Sequence, residues 1–319
     1  MMPVTERIAA GLFLAAVLAV YALELRILAA QLFRRPLPSV FLRRARPWIH
    51  AAALAGLICF LYGLFVEPYW LQVNREKIRT GSLRDTSFRV VQISDLHCDR
   101  KIRNEPKLVR MVNELRPDII VFTGDALNTE KALGTFRRTL ASLRSSHGKF
   151  AVRGNFDVWY WDEAELFSGT GFRELNATVA VQKNGEVLYL TGSRCDRPSE
   201  ILTRCAEVPR GIFHIVLFHY PYLVERLPAR STDLYLCGHT HGGQVAVPGY
   251  GALVTMSRLG KKYERGKYRV ENTHMYVNRG VGMEGGIAPR VRFFARPEIT
   301  VFDIVPVSAV NGNASGAGQ

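Results

Sequence analysis

The chain has 319 residues, 48% of them hydrophobic, and a formal net charge of +14. That size leaves room for one sizeable domain plus an apolar addition, and the charge points to anionic partners such as lipid head groups or nucleic acid. The cysteines Cys59, Cys98, Cys195, Cys205 and Cys237 are odd in number and irregularly spaced. This excludes a disulfide framework and, without a Cys-x-x-Cys pair, a cysteine zinc site, and it leans toward a reducing compartment.

The apolar addition comes first in the chain. Residues 8–23 are apolar throughout, Glu24 and Arg26 interrupt, residues 27–33 resume, and residues 48–66 form a second run carrying only His50. The second run is long enough to span a bilayer, and the first spans if it tolerates or snorkels its two charges. Neither reads as a cleaved secretory peptide. Residues 1–72 are therefore read as a membrane-associated helical hairpin, the alternative being a buried hairpin of a soluble protein. Arg34, Arg35, Arg43, Arg44 and Arg46 lie between the runs, and Arg75, Lys77, Arg79 and Arg84 follow the second. The positive-inside rule cannot put both groups on the cytoplasmic side of a simple hairpin with one span, so a shallow interfacial first segment and two full spans both stay open. Arg43-Arg44 before an apolar run also hints weakly at twin-arginine export. Beside hydrophobic segments, these basic residues favour an anionic membrane surface, worth roughly 1 kcal/mol each near the lipid.

From residue 86 the pattern becomes strand, loop, helix. Helical spacing over 106–115 (Leu108, Val109, Val112, Leu115) and 136–143 (Phe136, Leu140, Leu143), each followed by a strand, gives βαβ units. Residues 179–182 and 187–190, joined by Lys183-Asn184-Gly185-Glu186, read as an antiparallel hairpin with an Asn-Gly turn. Further strands are read at 268–270, 275–277 and 299–304, and the small, polar residues 307–319 as a disordered tail.

Five apolar runs end in polar groups that bind metals. They deliver, in order, Asp95-Leu96-His97, Gly124-Asp125, Gly154-Asn155-Phe156-Asp157, His219 and Gly238-His239-Thr240-His241. An isolated Asp-x-His or Gly-Asp is commonly a turn, and a lone histidine on an apolar strand is commonly a core residue. Five such motifs at five strand ends are a site. Carboxylate, amide and imidazole donors without thiolate suit two hard or borderline divalent ions such as Mn, Fe or Zn, and a two-ion site clamps both oxygens of a phosphoryl displacement.

These motifs resemble the calcineurin-like metallophosphoesterases over roughly residues 86–305. Gly242-Gly243-Gln244, the stretch from Tyr276 through Asn278, Arg279 and Gly280 to Gly282, and Arg296-Pro297-Glu298-Ile299 are similar to a membrane-associated branch. That branch contains bacterial phosphodiesterase-like proteins and the chlamydial-type UDP-2,3-diacylglucosamine pyrophosphatase. The resemblance implies a four-layer α/β/β/α sandwich. It implies a first ion on Asp95, His97 and His241, a second on Asn155, His219 and His239, and Asp125 bridging them, with manganese the first choice. Asp125, Asn155 and His239 would take part in catalysis, with Arg279 and Arg290 as candidates to hold substrate phosphate. Phe156 departs from the pattern, standing where the family has a histidine that protonates the leaving group. Asp157, His147 or His274 would have to replace that acid, or the substrate would not need one.

The function expected from this reading is cleavage of the pyrophosphate of UDP-2,3-diacylglucosamine in lipid A synthesis, at a bacterial inner membrane with the catalytic domain on its cytoplasmic face. A general phosphodiesterase acting on phospholipid is the alternative. A nuclease is a further alternative suggested by the charge, although no separate basic and aromatic nucleic-acid module is visible and no nucleic-acid partner is expected. The aromatic run Val158-Trp159-Tyr160-Trp161 reads either as buried helix or as a lipid contact. Removing residues 1–72 is expected to free the domain from membranes while leaving hydrolysis of a soluble diester largely intact.

Overall fold

A computed structural model describes residues 3–37, 39–285 and 289–307 of the chain. Residues 308–319, nearly all of the expected tail, lie outside the described residues. The chain opens with α1 (Val4–Leu32) and α2 (Val40–Phe65), which pack antiparallel. Each is long and apolar enough to cross a membrane. Leu12, Leu18 and Leu25 on α1 and Leu54, Ile58 and Phe60 on α2 stand exposed, a continuous apolar surface that a soluble protein would cover and a bilayer solvates. The hairpin is thus an exposed apolar pair of helices of a length that suits a membrane, rather than a buried core. The charge that interrupted the first run has a partner in the second: His50 Nδ1 lies 2.8 Å from a Glu24 carboxylate oxygen. Tyr21 of α1 also donates its hydroxyl to the Ala53 carbonyl of α2 at 3.1 Å, so both polar side chains satisfy each other or the backbone across the helix pair.

The remaining elements follow in the order β1 (Gln72–Thr80), β2 (Phe88–Ile93), α3 (Glu105–Glu114), β3 (Ile119–Phe122), α4 (Leu133–Ala141), β4 (Lys149–Ala151), α5 (Asn155–Tyr160) and β5 (Phe172–Glu174). Then come β6 (Thr178–Lys183), β7 (Glu186–Gly192), α6 (Pro198–Glu207), β8 (Phe213–Leu217), β9 (Leu234–Cys237), β10 (Ala246–Val247), β11 (Gly251–Ala252), β12 (Gly266–Val270), β13 (Thr273–Val277) and β14 (Glu298–Pro306). Two six-stranded sheets, ordered β1-β14-β2-β3-β4-β5 and β12-β13-β9-β8-β7-β6, carry the domain. Strand β1, not read in the sequence because its alternation is dominated by charged residues, pairs in parallel with β14 from Gln72. The sheet therefore starts upstream of the boundary at residue 86.

Side-chain alternation builds the layers. In β2 and β3 the residues Val90, Ile119 and Val121 face the other sheet, where they meet Leu188, Ile215, Leu217 and Leu236. Their neighbours Val91, Ile120 and Phe122 face Leu108 and Val112 of α3 and Phe136 and Leu140 of α4. On the far side Val216 and Tyr235 pack with Ile201 and Cys205 of α6. Strands buried on both faces must be apolar at every position, which is why these runs read as continuous. The result is the expected α/β/β/α sandwich with the hairpin added, and the parallel strands β2, β3, β4, β8 and β9 all point their C-terminal ends the same way.

Candidate metal centre

The common strand ends bring the motifs together, but an extended strand does not aim a side chain sideways. The turns do that. Asp95, His97, Asp125, His239 and His241 all have left-handed backbone, with φ of 48°, 39°, 60°, 74° and 52°. Such conformations cost non-glycine residues about 1–3 kcal/mol each and persist only where surroundings over-determine them. Here the backbone N–H groups of Asp95 and His97 donate to the carbonyls of Gly124 (2.8 Å) and Asp125 (3.1 Å). Glycine is obligatory at two crossings. A Cβ on Gly124 would lie 2.5 Å from the Gly154 nitrogen, and one on Gly238 would lie 2.1 Å from an Asp95 carboxylate oxygen.

Side-chain donor atoms of Asp95, His97, Asp125 and His241 all lie within 4.8 Å of one another, and all four residues are buried. His97 Nε2 faces His241 Nε2 at 3.2 Å, Asp125 Oδ2 at 3.5 Å, and His241 Nε2 lies 3.4 Å from Asp95 Oδ1. Asp125 Oδ2 is also 3.3 Å from His219 Nε2, which in turn faces Asn155 Oδ1 at 3.0 Å. Asp125 thus stands between the two groups, as a bridging carboxylate would. His239 joins through ring contact with His219, centroids 5.1 Å apart.

The donor set fits divalent metal. His97 donates Nδ1–H to Asn128 Oδ1 (3.0 Å), His219 donates Nδ1–H to the Thr123 carbonyl (2.8 Å), and His239 donates Nε2–H to the Met256 carbonyl (3.2 Å). Each outer bond fixes a tautomer and frees the other nitrogen's lone pair toward the centre. His241 differs in that its Nδ1 faces the Arg292 guanidinium, a donor, at 3.4 Å, and its Nε2 and that of His97, 3.2 Å apart, can share one proton or one cation. The electrostatics divide the four imidazoles: burial lowers His97 and His219, but Asp125 outweighs it and raises both, His219 to about 10. Burial pushes His239 down to about 3, with His219 beside it adding to the effect, and burial followed by His97 depresses His241, so both rings stay neutral as ligands must. Burial raises Asp125, but His219 and His97 outweigh it and hold the carboxyl well below its usual range.

Three residues expected at the chemistry are placed behind it. Asp157 is fully buried, and its two oxygens accept from the backbone nitrogens of Asp125 and Ala126 (2.8 Å each) and Gly154 (2.9 Å). With its oxygens occupied by amides it locks the Gly124-Asp125 and Gly154-Asn155 turns together, and it is not disposed to protonate a leaving group. Arg279 spends its fork on buried Glu298, Nε to Oε2 at 2.8 Å with Nη2 on the same oxygen. Arg290 is held by Asp99, which Arg103 also pairs at 2.6 Å. The Arg279 fork is thus occupied by a carboxylate, while Arg290 reaches Asp99 through Nη1 alone. His147, beside Asp118, and His274, bonded to Arg269 at 2.6 Å, sit at the opposite ends of the strands and cannot replace the acid. Phe156 itself stands edge-on to His97, ring centroids 4.7 Å apart.

Sequence reasoning missed Asn128 and Arg292. Asn128, three residues past Asp125, grips both the ring and the carbonyl of His97. Arg292 is fully buried, donates to the carbonyls of Ala295 (2.7 Å), Arg279 (2.8 Å) and Gly282 (3.0 Å), and lies 3.4 Å from His241 Nδ1. Only an arginine in an otherwise apolar Val291–Phe293–Phe294 context could have marked it.

A family model for calcineurin-like phosphoesterase matches residues 88–243. The uncharacterised metallophosphoesterase YkuE of Bacillus subtilis (strain 168) is 30% identical over 278 residues, covering 80% of this chain and 92% of its own length. Phosphodiesterase YaeI of Escherichia coli (strain K12) is 30% identical over 273 residues, covering 80% and 96%. A Bos taurus transmembrane protein with metallophosphoesterase domain is 29% identical over 241 residues, covering 67% of this chain and 52% of its own. Sequence likeness across most of the length joins a sandwich whose strand ends gather carboxylates, imidazoles and an amide, and the chain belongs to the calcineurin-like metallophosphoesterases.

Proposed function

We propose that the chain is a membrane-docked phosphohydrolase with two divalent ions, manganese first with iron or zinc as alternatives, acting on a phosphate linkage in an amphiphilic substrate. The observation that carries this is a metal-type donor cluster at the base of an apolar hairpin. Asp95, His97, Asp125 and His241 would hold one ion, and Asp125, Asn155, His219 and His239 the other. Bound there, the ions would supply the positive charge that activates water and stabilises a transferring phosphoryl group. The chain's own contribution is to hold His239 and His241 neutral, to keep the imidazoles aimed and Asp125 ionised between them, and to line one side of the site with aromatic rings. Phe156 contacts Tyr160 at 5.4 Å between centroids, and Trp159 and Tyr160 are more than half exposed. Beside them a cavity of about 530 Å³ is lined by Leu127, Leu133, Trp159, Tyr160 and Trp161 together with the acidic Glu130, Asp162 and Glu163, a mixed surface whose aromatic side suits an apolar part of the substrate.

Phe156 narrows the linkage. Phenylalanine donates no proton, so an alkoxide leaving group would lose the 10²- to 10⁴-fold, in round figures, that a general acid contributes. A phosphomonoester, with a second pKa of about 6, leaves readily as the anion. This supports a phosphoanhydride, and among such substrates the pyrophosphate of UDP-2,3-diacylglucosamine, cleaved to UMP and lipid X, is the candidate. A general membrane phosphodiesterase is the second reading, favoured by the hairpin's geometry. Both helices end at the domain, so Arg34, Arg35, Arg43, Arg44 and Arg46 lie at the far tip. With two full spans the positive-inside rule puts that tip in the cytoplasm and the domain on the other face, away from nucleotide-linked substrates. The relative named a phosphodiesterase agrees with it.

The test assays full-length protein and Phe156→His in detergent with Mn²⁺ on a pyrophosphate-linked lipid and on an alkyl phosphodiester. Wild type should prefer the anhydride, and the histidine should raise turnover on the alkyl ester alone by about 10-fold or more. Wild-type preference for the alkyl ester would replace the anhydride reading with the phosphodiesterase.

A further inference from the structure

The hairpin does more than tether the domain, because the base of each helix carries one buried carboxylate that grips a loop of the metal centre. Glu6, near the start of α1, is 1% exposed and accepts from Thr255 twice, from the backbone nitrogen at 2.9 Å and the hydroxyl at 2.8 Å. The next residue, Met256, has left-handed backbone at φ 56° and offers the carbonyl that takes the Nε2–H of His239. Glu67, just past α2, is also 1% exposed and accepts from the backbone nitrogens of Phe294 (2.9 Å) and Ala295 (2.5 Å). Phe294 is left-handed too, at φ 53°. The Arg292 nitrogen donates to the Gly63 carbonyl of α2 at 2.9 Å, and a Cβ on Gly63 would come within 3.1 Å of the Arg292 carbonyl. Arg292 is the side chain behind His241.

We propose that Glu6 and Glu67 are positioning residues through which the two membrane helices set the orientation of His239 and His241, one helix to each imidazole. The physical case is that bulky residues such as methionine and phenylalanine do not hold positive φ unaided, and a carboxylate accepting two N–H or O–H bonds can impose it. Withdrawing the carboxylate lets the loop relax to ordinary backbone, which moves the Met256 carbonyl away from His239 and the Arg292 guanidinium away from His241. Outer partners of this kind typically govern 10- to 100-fold, in round terms, of metal affinity or activity. The inference rests on the metal-centre reading and not on any particular substrate. It also replaces an expectation from the sequence: a domain stripped of residues 1–72 loses both carboxylates, so its hydrolysis of a soluble diester should fall with its metal affinity.

The experiment uses the full chain in detergent, bis(p-nitrophenyl) phosphate as a soluble substrate, Mn²⁺ titrations and the absorption spectrum of the Co²⁺-loaded protein. Glu6→Gln and Glu67→Gln should each lower Mn²⁺ affinity and kcat by about 10- to 100-fold with KM unchanged and alter the cobalt spectrum. Trp48→Ala, on exposed helix surface near the hairpin tip, should change none of these. Thr255→Val should weaken in the same way, and Thr255→Ser, which keeps both donors, should restore wild-type values. If the glutamine variants do not fold, the Thr255 pair decides the Glu6 arm. Wild-type metal affinity, kcat and cobalt spectrum in folded Glu6→Gln and Glu67→Gln, or in Thr255→Val, would overturn the proposal. An inactive, metal-free wild type would instead overturn the metallophosphohydrolase reading itself.

Discussion

The two sides of the metal centre are built differently. On one side Asp95, His97, Asp125 and His241 already have their donor atoms within 4.8 Å, and two of these residues come from a single turn after β2. On the other, Asn155 opens α5, His219 follows β8 and His239 shares the turn after β9 with His241; His239 meets His219 by ring contact, donates its backbone N–H to the Asp95 carboxylate and bonds a loop carbonyl through its ring. The first side has its donor atoms gathered and its turns tied to each other, Asp95 N–H to the Gly124 carbonyl and His97 N–H to the Asp125 carbonyl, whereas the second side leans on the loop carbonyls of Thr123 and Met256. The Asp125 carboxylate faces an imidazole of each side, His97 at 3.5 Å and His219 at 3.3 Å.

That difference orders the expected effects of mutation. Asp125→Asn breaks both sides at once and should lower hydrolysis of a soluble diester by far more than about 100-fold, the upper range for outer partners alone, with metal content by mass spectrometry falling below two ions per chain. Two tightly bound ions and normal turnover in this variant would dissolve the comparison. Next come the single-sided changes. His241→Ala should remove the tighter of two Mn²⁺ binding steps in calorimetry, and His239→Ala the weaker, because the first side is the pre-formed one. Equal losses from both variants would mean that the two sides are equally organised.

Asp157→Asn sharpens the comparison from behind. An amide cannot accept three backbone N–H bonds as a carboxylate does, so the turns that aim Asp125 and Asn155 loosen. We expect a loss of roughly 10- to 100-fold in kcat and about 1–3 kcal/mol of stability, with the shape of the pH–rate profile retained. Disappearance of the basic limb would make Asp157 the proton donor after all. The smallest effect belongs to Asp118, at the opposite strand ends, which bonds Lys183 Nζ at 2.8 Å and the Arg89 nitrogen at 2.7 Å. Burial raises this carboxyl, but Lys183 outweighs it and the net shift is downward. A depressed folded pKa adds stability that is present above the usual aspartate value near 4 and is lost as pH falls below it. Asp118→Asn should therefore cost about 1 kcal/mol at pH 7 in urea unfolding, a cost that shrinks as pH falls below about 4 and vanishes below the depressed folded pKa, with metal affinity unchanged.

Much of this was legible in the sequence. Runs such as Ile119-Ile120-Val121-Phe122 must be apolar at every position because both faces are buried, so the strands and their order along the chain announce themselves. The ligand motifs were equally plain, since glycine at Gly124 and Gly238 is demanded by crossings too tight for a Cβ. Strand β1 was not, because Arg75, Glu76, Lys77 and Arg79 mask its alternation and only its partner β14 makes it a strand. Helix α6 was likewise missed, its pattern of Ile201 and Cys205 being too short to stand out.

By itself, then, the sequence determined the strands, the apolar hairpin and the gathering of Asp95, His97, Asp125 and His241 at strand ends, because periodicity, burial on two faces and glycine at tight turns are local consequences of side-chain chemistry, while the layered sandwich followed from the family resemblance. Tertiary structure alone decided what each polar side chain does there. Arg279 and Arg290 read alike as candidates to hold phosphate, yet Glu298 fills the fork of Arg279 and Asp99 takes Nη1 of Arg290. Asp157 read as a proton donor until three backbone amides were found on its oxygens. Glu6 and Glu67 carried no signal at all, since the loops they grip lie 249 and 227 residues away along the chain. A charged group's role is set by whichever partner folding brings to it, and that partner is usually remote in sequence.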